Sequence, residues 1–316
     1  MKDCILITGG SGFIGSNLVE FFIKEGFRIK VIDNLSTGKI ENIKEFLKEI
    51  EFYNADITNL NLLREVMEGV NFILHNAALP SVIRSFKDPY STIITNIIGT
   101  QNIIQAAIEY KVKKIIFASS SSVYGDVEKL PMNEIYYPKP LSPYALTKLA
   151  GEYLMKIYGN IYSIETVSLR YFNVFGPKQN PLSEYAAVIP KFIHNILEEK
   201  EVVIYGDGYQ SRDFTYVDNV VYANYLALTK HLPNGIIINI ACGENYNLHD
   251  LINIISKILN KNVKIKYEPP RKGEIRNSLA DISLAKEVLN YEPKIKFSEG
   301  IARTIEWFKN IRISTT

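Results

Sequence analysis

The sequence predicts an α/β protein, a doubly wound parallel sheet followed by a smaller, mixed C-terminal lobe. Three observations predict it. Short apolar strands alternate with segments of helical length over the first half of the chain, which requires right-handed crossovers and a parallel sheet. A glycine-rich turn joins the first strand to the first helix. Beyond about Arg170 the alternation gives way to a stretch rich in Pro, Gly and Asn, FNVFGPKQNPLSEY.

The strands read in order as CILITGG, FRIKVIDN, IEFYNAD, NFILHNAA and KKIIFASS, each an apolar run ending in small or polar residues. Between them, FIGSNLVEFFIKEG and LNLLREVMEG have helical length and period. Binding chemistry on such a sheet belongs at the carboxyl ends of the strands. The reading places one domain at residues 1–173 and the second lobe at 174–316. GIIINIAC, from Gly235 to Cys242, again reads as a buried strand, so residues 213–242 are expected to return to the first sheet. The final SEGIARTIEWFKNI is amphipathic, and Trp307 reads as a packing residue.

Composition sets outer bounds. The 316 residues are 47% hydrophobic and 22% charged, enough for a large core, and no apolar run approaches the ~18 residues that span a bilayer. MKDCILITGG runs straight into a strand pattern, so a cytoplasmic protein without membrane attachment is expected. The net charge of +2 comes from interspersed Lys and Glu, which gives nucleic-acid binding little support. Cys4 and Cys242 sit in strand-like contexts and read as buried thiols. His75, His194, His231 and His249 are scattered without ligand spacing, so no metal site is expected.

TGGSGFIG carries Gly9, Gly12 and Gly15 in the spacing G-x-x-G-x-x-G, with Phe13 and Ile14 between the last two glycines. Such a turn lets backbone approach a pyrophosphate, and the helix N-terminus supplies N–H groups and partial positive charge. Asp33, followed by Asn34, ends the second strand about 20 residues on, where a carboxylate accepts from both ribose hydroxyls. It would repel a 2′-phosphate, and no arginine follows it, so NAD is favoured over NADP. Asp56, beside Ile57 at the third strand's end, suits either the adenine amine or a helix cap. Ala77 and Ala78 in HNAA offer a close wall for the cofactor.

SPYALTK places a possible N-cap, Ser142, before Pro143, and puts Tyr144 and Lys148 on one helix face. The same spacing recurs at Tyr110 and Lys114, where EYKVKK reads as a helix end entering a strand, so spacing alone does not decide between structure and chemistry. A phenol near pKa ~10 is a poor base at neutral pH, but neighbouring lysine and nicotinamide cations favour phenolate.

Taken together, TGGSGFIG, HNAA, SSSSVYGD, SPYALTK and LRYFNVFG resemble the extended short-chain dehydrogenase/reductase family over essentially the whole chain. The resemblance implies a Rossmann-like fold, Tyr144 as acid/base, Lys148 on the nicotinamide ribose, and Ser120 on the reacting hydroxyl. Ser122 is a candidate assistant, and Ser119 and Ser121 are weaker ones. Sugar-nucleotide dehydratases carry an Asp-Glu pair before the tyrosine-glycine of this loop, where this chain has Ser122-Val123, which argues against loss of water. The chain is most similar to UDP-hexose 4-epimerases, and among them to those acting on UDP-N-acetylglucosamine, through PLSPYALTK, RYFNVFGPKQNP, YAAVIPKF and GDGYQSRDFTYVDN.

That resemblance implies a tightly held NAD that is not consumed, a UDP-sugar substrate and a homodimer formed through helices near Thr92–Tyr110 and Tyr144–Tyr158. Asn173, Arg212 and Arg271 are expected at the diphosphate, Glu274 at the nucleotide ribose, and Tyr205 on uracil or in the core. The pattern usually has Asp where Glu274 stands. Phe172 is placed beside the nicotinamide or in packing, Val188 along the substrate pocket, and Ser81 and Arg84 either at the sugar or in loop capping. Ser278 holds the position that walls the sugar pocket, where a small residue goes with room for an N-acetyl group. A uronate 4-epimerase is the nearer rival. A non-catalytic NAD-binding protein, the rival of a different class, would be expected to lose Tyr144, Lys148 or the serine.

Overall fold

A computed structural model describes residues 2–127, 129–183, 186–270 and 275–315. The first half runs β1 (Cys4–Thr8), α1 (Phe13–Lys24), β2 (Arg28–Asp33), β3 (Ile50–Asn54), α2 (Leu60–Met67), β4 (Phe72–His75), α3 (Val82–Lys87), α4 (Pro89–Ile93) and α5 (Gly99–Glu109). It continues through β5 (Lys114–Ser120), α6 (Pro143–Tyr162) and β6 (Glu165–Tyr171). A π-helical turn, Ile94–Ile98, joins α4 to α5, and a 3-10 turn, Ser121–Tyr124, follows β5. The second half holds β7 (Val174–Phe175), α7 (Val188–Leu197), β8 (Val202–Tyr205), β9 (Ser211–Arg212), β10 (Thr215–Tyr216) and α8 (Val217–Thr229). Then come β11 (Ile236–Ile240), β12 (Tyr246–Asn247), α9 (Leu248–Leu259), β13 (Ile265–Glu268) and α10 (Phe297–Thr315).

Seven strands form one parallel sheet in the order β11-β6-β5-β4-β1-β2-β3. The chain builds outward from β1 in one direction and then from β4 in the other, so a crevice opens where the order reverses, at the carboxyl ends of β1 and β4. Both sheet faces are covered, which is why the strands read as continuous apolar runs. Ile5 and Ile7 pack on one face with Leu18, Phe22 and Val221, while Cys4 and Leu6 face Leu63, Ile103 and Met155. The late strand β11 pairs with β6 from Ile236↔Val167 to Ile240↔Tyr171, which returns the chain to the first sheet.

Two buried lysines inside strands interrupt this pattern. Lys30 Nζ donates to the carbonyls of Val66 (3.2 Å) and Glu68 (2.8 Å), and Lys114 Nζ to those of Ala227 (2.9 Å) and Leu228 (3.2 Å). Each cation thus satisfies carbonyls at a helix C-terminus, where the helix dipole favours positive charge.

Apart from β11, the strands beyond β6 are short pairs, β7 with β10, β8 with β13 and β9 with β12. Buried Asp213 ties this region to the end of β11. Its carboxylate accepts from Cys242 N and Gly243 N (both 3.0 Å) and Ala280 N (3.2 Å), and burial pushes its pKa up to about 6. Trp307 lies in α10 with its ring 5.0 Å from that of Phe308. No helix among the described residues is long and apolar enough to cross a membrane, and no His, Cys, Asp or Glu cluster there would hold a metal ion.

Candidate active site

The crevice is a cleft of about 770 Å³. Its floor is the glycine turn. Gly9 has φ +67°, and a Cβ there would lie 2.9 Å from the Ala77 Cα, so the turn sits directly on the end of β4. A Cβ on Gly15 would meet the Gly9 carbonyl at 2.1 Å, which makes glycine necessary for α1 to start this close to the turn. Gly12 is the N-cap of α1, and its side faces only Gly9 O at 3.1 Å. Phe13, Ile14 and Gly15, the first residues of α1, line the cleft, which is where a helix N-terminus binds phosphate.

Every residue expected at the cofactor except Phe172 lines this cleft: the glycine turn with Phe13 and Ile14, Asp33 and Asn34, Asp56 and Ile57, Ala77 and Ala78, and Tyr144 with Lys148. Asp33 Oδ2 accepts from Ser11 N (2.9 Å) and Oδ1 from Leu35 N (2.8 Å). Burial still raises its pKa against those bonds. An ionised carboxylate has about four acceptor positions, so two used on backbone leave capacity for ribose hydroxyls. Asp56 caps its own turn through Thr58 N (2.8 Å) and Thr58 Oγ1 (2.7 Å), and Asn34 Nδ2 donates to its other oxygen at 2.6 Å. Burial opposes its ionisation, but these bonds prevail and hold its pKa below the usual value. The buried Oδ1 of Asn76 and Oε1 of Gln179, both from residues of the cleft, have no partner among the described residues. Unsatisfied acceptors in a lined cleft are what a polar ligand answers.

Asp33→Ala should therefore weaken NAD in two ways, by removing the ribose acceptor and by releasing Ser11 N and Leu35 N from the turn. NAD occupancy after purification and its dissociation constant are the measurements, together with NADP binding, which is expected to gain relative to NAD. Unchanged values for NAD would remove Asp33 from the site.

At the other end of the cleft, Ser142 caps α6 by accepting from Ala145 N at 3.1 Å, with Pro143 in the first turn. The helix then presents Tyr144 and Lys148 to the ends of β4 and β5. Tyr144 lies beside Ser120, whose Oγ accepts from Ser122 N at 3.2 Å. Lys148 Nζ donates to Ala118 O (2.7 Å) and lies 5.9 Å from the Tyr144 ring centroid. Burial lowers its pKa to about 8. In the protein alone, burial raises the Tyr144 hydroxyl, Ser120 opposes the rise, and the Lys148 ammonium is aimed at a backbone carbonyl. The second occurrence of the spacing is plain architecture: Tyr110 ends α5 and Lys114 starts β5.

A directed hydrogen-bond chain braces the wall beside this pair. Thr100 donates to Asn96 O (2.6 Å), so it accepts from His75 Nε2 (2.9 Å); His75 Nδ1 then accepts from Thr8 Oγ1 (2.7 Å), which itself receives Ala77 N (3.0 Å). Burial first, then the Lys148 charge, brings His75 down to about 3, so it is a neutral bridge. Asn96, in the π-helical turn, holds Leu79 by both backbone groups and donates to Thr147 Oγ1 at 3.0 Å, joining the cleft wall to α6.

The expected substrate residues distribute differently. Ser81 and Arg84 line the cleft, and Ser81 also caps α3 by accepting from Arg84 N at 3.3 Å. Ser122 Oγ is buried with no partner among the described residues. Asn173, at φ +35°, spends its amide on Asp213 O (3.0 Å), and Arg212 Nη1 donates to the carbonyls of Ser211 (2.9 Å) and Arg276 (3.1 Å). Val188 opens α7, half-buried, while its predecessors Ala186 and Ala187 line the cleft. Tyr205 ends β8 opposite Glu268. Phe172 is fully buried with its ring 6.1 Å from that of Tyr124; Tyr171, one residue earlier, lines the cleft in its place. Ser278 is buried, and its N–H donates to Ser211 O at 3.0 Å. Arg271 and Glu274 lie outside the described residues.

Sequence reasoning missed the loop Leu35–Lys39, which lines the cleft beyond Asp33 and is pinned by Lys39 N to Ser11 O at 3.0 Å. Its signal was present in the turn-forming Ser-Thr-Gly directly after the acidic strand end. Gln179 and Asn180 also line the cleft, from the Pro-rich crossover.

A doubly wound sheet with a dinucleotide cleft at its switch point, and a tyrosine, lysine and serine at one end of it, defines a nucleotide-dependent enzyme that moves a proton together with a hydride. The model of the NAD dependent epimerase/dehydratase family matches residues 5–241, and the chain belongs to that family. It is similar to the Thermotoga maritima UDP-glucose 4-epimerase solved with UDP-glucose, with 37% identity, a TM-score of 0.94, and 98% of this chain and 99% of that one covered. It is equally similar in fold to the Methanobrevibacter ruminantium UDP-N-acetylglucosamine 4-epimerase solved with UDP-N-acetylmuramic acid, with 39% identity, a TM-score of 0.94 and full coverage of both chains. The UDP-glucuronate 4-epimerase of Thermodesulfobacterium geofontis is 36% identical over 315 residues, 96% of this chain and 95% of that protein.

Proposed function

We propose that the protein is a UDP-sugar 4-epimerase that acts on UDP-N-acetylglucosamine and UDP-N-acetylgalactosamine as well as on the plain UDP-hexoses. The observation that carries this reading is the placement of Tyr144 beside Ser120 with Lys148 one turn along α6, next to a loop that has Ser122-Val123 where dehydratases carry an acid pair. Bound NAD supplies a hydride acceptor that returns the same hydride. Tyr144 takes the proton of the sugar 4-hydroxyl as the C4–H bond breaks, and Ser120 holds the oxygen that becomes the ketone. Lys148 contributes positive charge under the cofactor site. The 4-ketosugar turns in the cleft, and Tyr144 returns its proton as C4 is reduced on the opposite face, so the net redox change is zero.

The support for an acetamide is the small side chain at position 278; Ser278 is buried and is not among the residues lining the cleft. Uronate epimerisation is the rival, favoured by the Thermodesulfobacterium relative and by Arg84 in the cleft lining. Incubating the purified protein separately with UDP-GlcNAc, UDP-glucose and UDP-glucuronate, without added NAD, and resolving the C4 epimers decides between them. Product from UDP-glucuronate alone would overturn the hexose reading, and no product from any of the three would overturn 4-epimerisation.

We also place the protein in the cytoplasm as a homodimer. Cys4 and Cys242 are free thiols, in keeping with a reducing compartment. Tyr90, Ile93, Ile98, Leu146, Tyr153 and Ile157 leave an apolar face exposed across α4, the π-helical turn and α6, and Tyr90 is 75% exposed. Such a face on neighbouring helices suits a second copy of the same chain. Ile157→Glu is expected to shift the sedimenting species from dimer toward monomer; a wild-type protein that sediments as a monomer at all concentrations would remove the dimer.

A further inference from the structure

α6 carries Tyr144, Lys148 and Glu152 at four-residue intervals, along one face. Glu152 is 2% exposed. Its Oε1 accepts from Ser119 Oγ (2.5 Å) and Arg170 Nε (2.8 Å), and its Oε2 from Arg170 Nη2 (2.7 Å). Lys148 holds Ala118 O, so the two side chains fasten consecutive residues of β5 immediately before Ser120. Behind the pair, the Arg170 guanidinium stacks 4.6 Å from the Tyr124 ring centroid, and Tyr124 donates to Asn239 Oδ1 at 2.7 Å.

A buried ion pair is an expensive clamp, and apolar side chains of similar volume hold helices to strands at least as well. What they lack is a field. We propose that Glu152 is a positioning residue that acts through Lys148: its buried carboxylate, one helical turn below on the same face of α6, supplies the negative field that holds the lysine's charge at the reaction centre. The proposal rests on the assignment of Lys148 to the reaction centre.

The groups around Lys148 support this. Burial brings the lysine down to about 8 and Glu152 is the charge that opposes the fall. Tyr144 on the same helix is raised, and His75 on β4, down at about 3, is neutral throughout. Arg170 on β6 is kept charged by Glu152 against its own burial. Of these groups, Lys148 is the one whose charge changes just above neutrality. A unit charge about 6 Å away at an effective dielectric of about 20 moves a pKa by roughly two units; Arg170 stays charged whether or not Glu152 is, so its effect enters only when it is removed as well.

The test is a titration of protein carrying 13Cε-labelled lysine, with the Lys148 signal identified by its loss in Lys148→Met. Glu152→Gln is expected to lower the Lys148 midpoint by roughly two units and to move the alkaline limb of kcat down with it. Ser119→Ala removes one hydrogen bond to Glu152 but no charge, and should leave the midpoint in place. An unshifted midpoint in Glu152→Gln, or an equal shift in Ser119→Ala, overturns the proposal. Should Glu152→Gln fail to fold with Arg170 unpaired, the double variant Glu152→Gln/Arg170→Met leaves no unpaired buried charge and should show a smaller downward shift; an unshifted or raised midpoint there overturns it too. The titration needs no substrate, so its failure is separate from any failure of the turnover assay.

Discussion

Replacing Tyr144 by phenylalanine is expected to lower turnover at least ~100-fold, the lower scale of a positioned acid/base, with the fold and the bound NAD retained. The ring stays, so packing at the start of α6 barely changes. Lys148 is held by Ala118 O rather than by the tyrosine hydroxyl, and Ser120 still accepts from Ser122 N. The loss is therefore confined to the proton carrier. The protein's own groups leave Tyr144 a neutral phenol, because burial raises its pKa and Ser120 only opposes that rise. Its use as a base calls for added positive charge at the end of the cleft, which the nicotinamide ring supplies together with Lys148. With that charge bringing Tyr144 below Lys148, turnover of the wild type should rise with pH as Tyr144 ionises and decline as Lys148 loses its proton, and the rising limb should vanish in Tyr144→Phe. A purified variant that keeps more than half of wild-type turnover on its best substrate would show that Tyr144 is not the base.

The site was legible in the sequence where chemistry is written locally. The glycine turn, Asp33 at a strand end and the SPYALTK helix start are each confined to a short contiguous stretch, and each depends on backbone geometry that adjacent residues determine. What stayed hidden depends on partners far along the chain. Glu152 meets Arg170 and Ser119 only because α6 crosses the ends of β5 and β6. Lys30 and Lys114 look misplaced in apolar strands until helix ends arrive over them. Phe172 and Tyr171 alternate across β6 and the residue after it, so a choice between cleft and core turned on a one-residue register that sequence spacing does not give. The short strand pairs of the later lobe have two to four residues each and carry too little period to be read.

Ser278→Tyr is expected to depress kcat/KM for UDP-GlcNAc while largely sparing UDP-galactose. Position 278 is held from two sides, since Ser278 N donates to Ser211 O at 3.0 Å and Met132 N donates to Leu279 O at 2.7 Å. Asn277 Oδ1 meets Ser211 Oγ at 2.9 Å, and Ala280 N is bonded to buried Asp213. With backbone fixed on both flanks, a tyrosine there has no easy retreat by loop movement, and its ring must take space near the side chain it replaces. Forcing bulk into a packed site costs ~1–3 kcal/mol, or roughly 5- to 150-fold. The N-acetylated sugar needs the space the ring would fill, whereas a 2-hydroxyl does not, so the loss should fall on one substrate and not the other. Because Ser278 also adjoins the segment that Asp213 anchors, thermal unfolding of the variant belongs beside the kinetics: a general loosening would lower both activities together. Measuring both sugars on both proteins gives the answer, and an equal loss on the two, or no loss on either, would remove Ser278 as the gate.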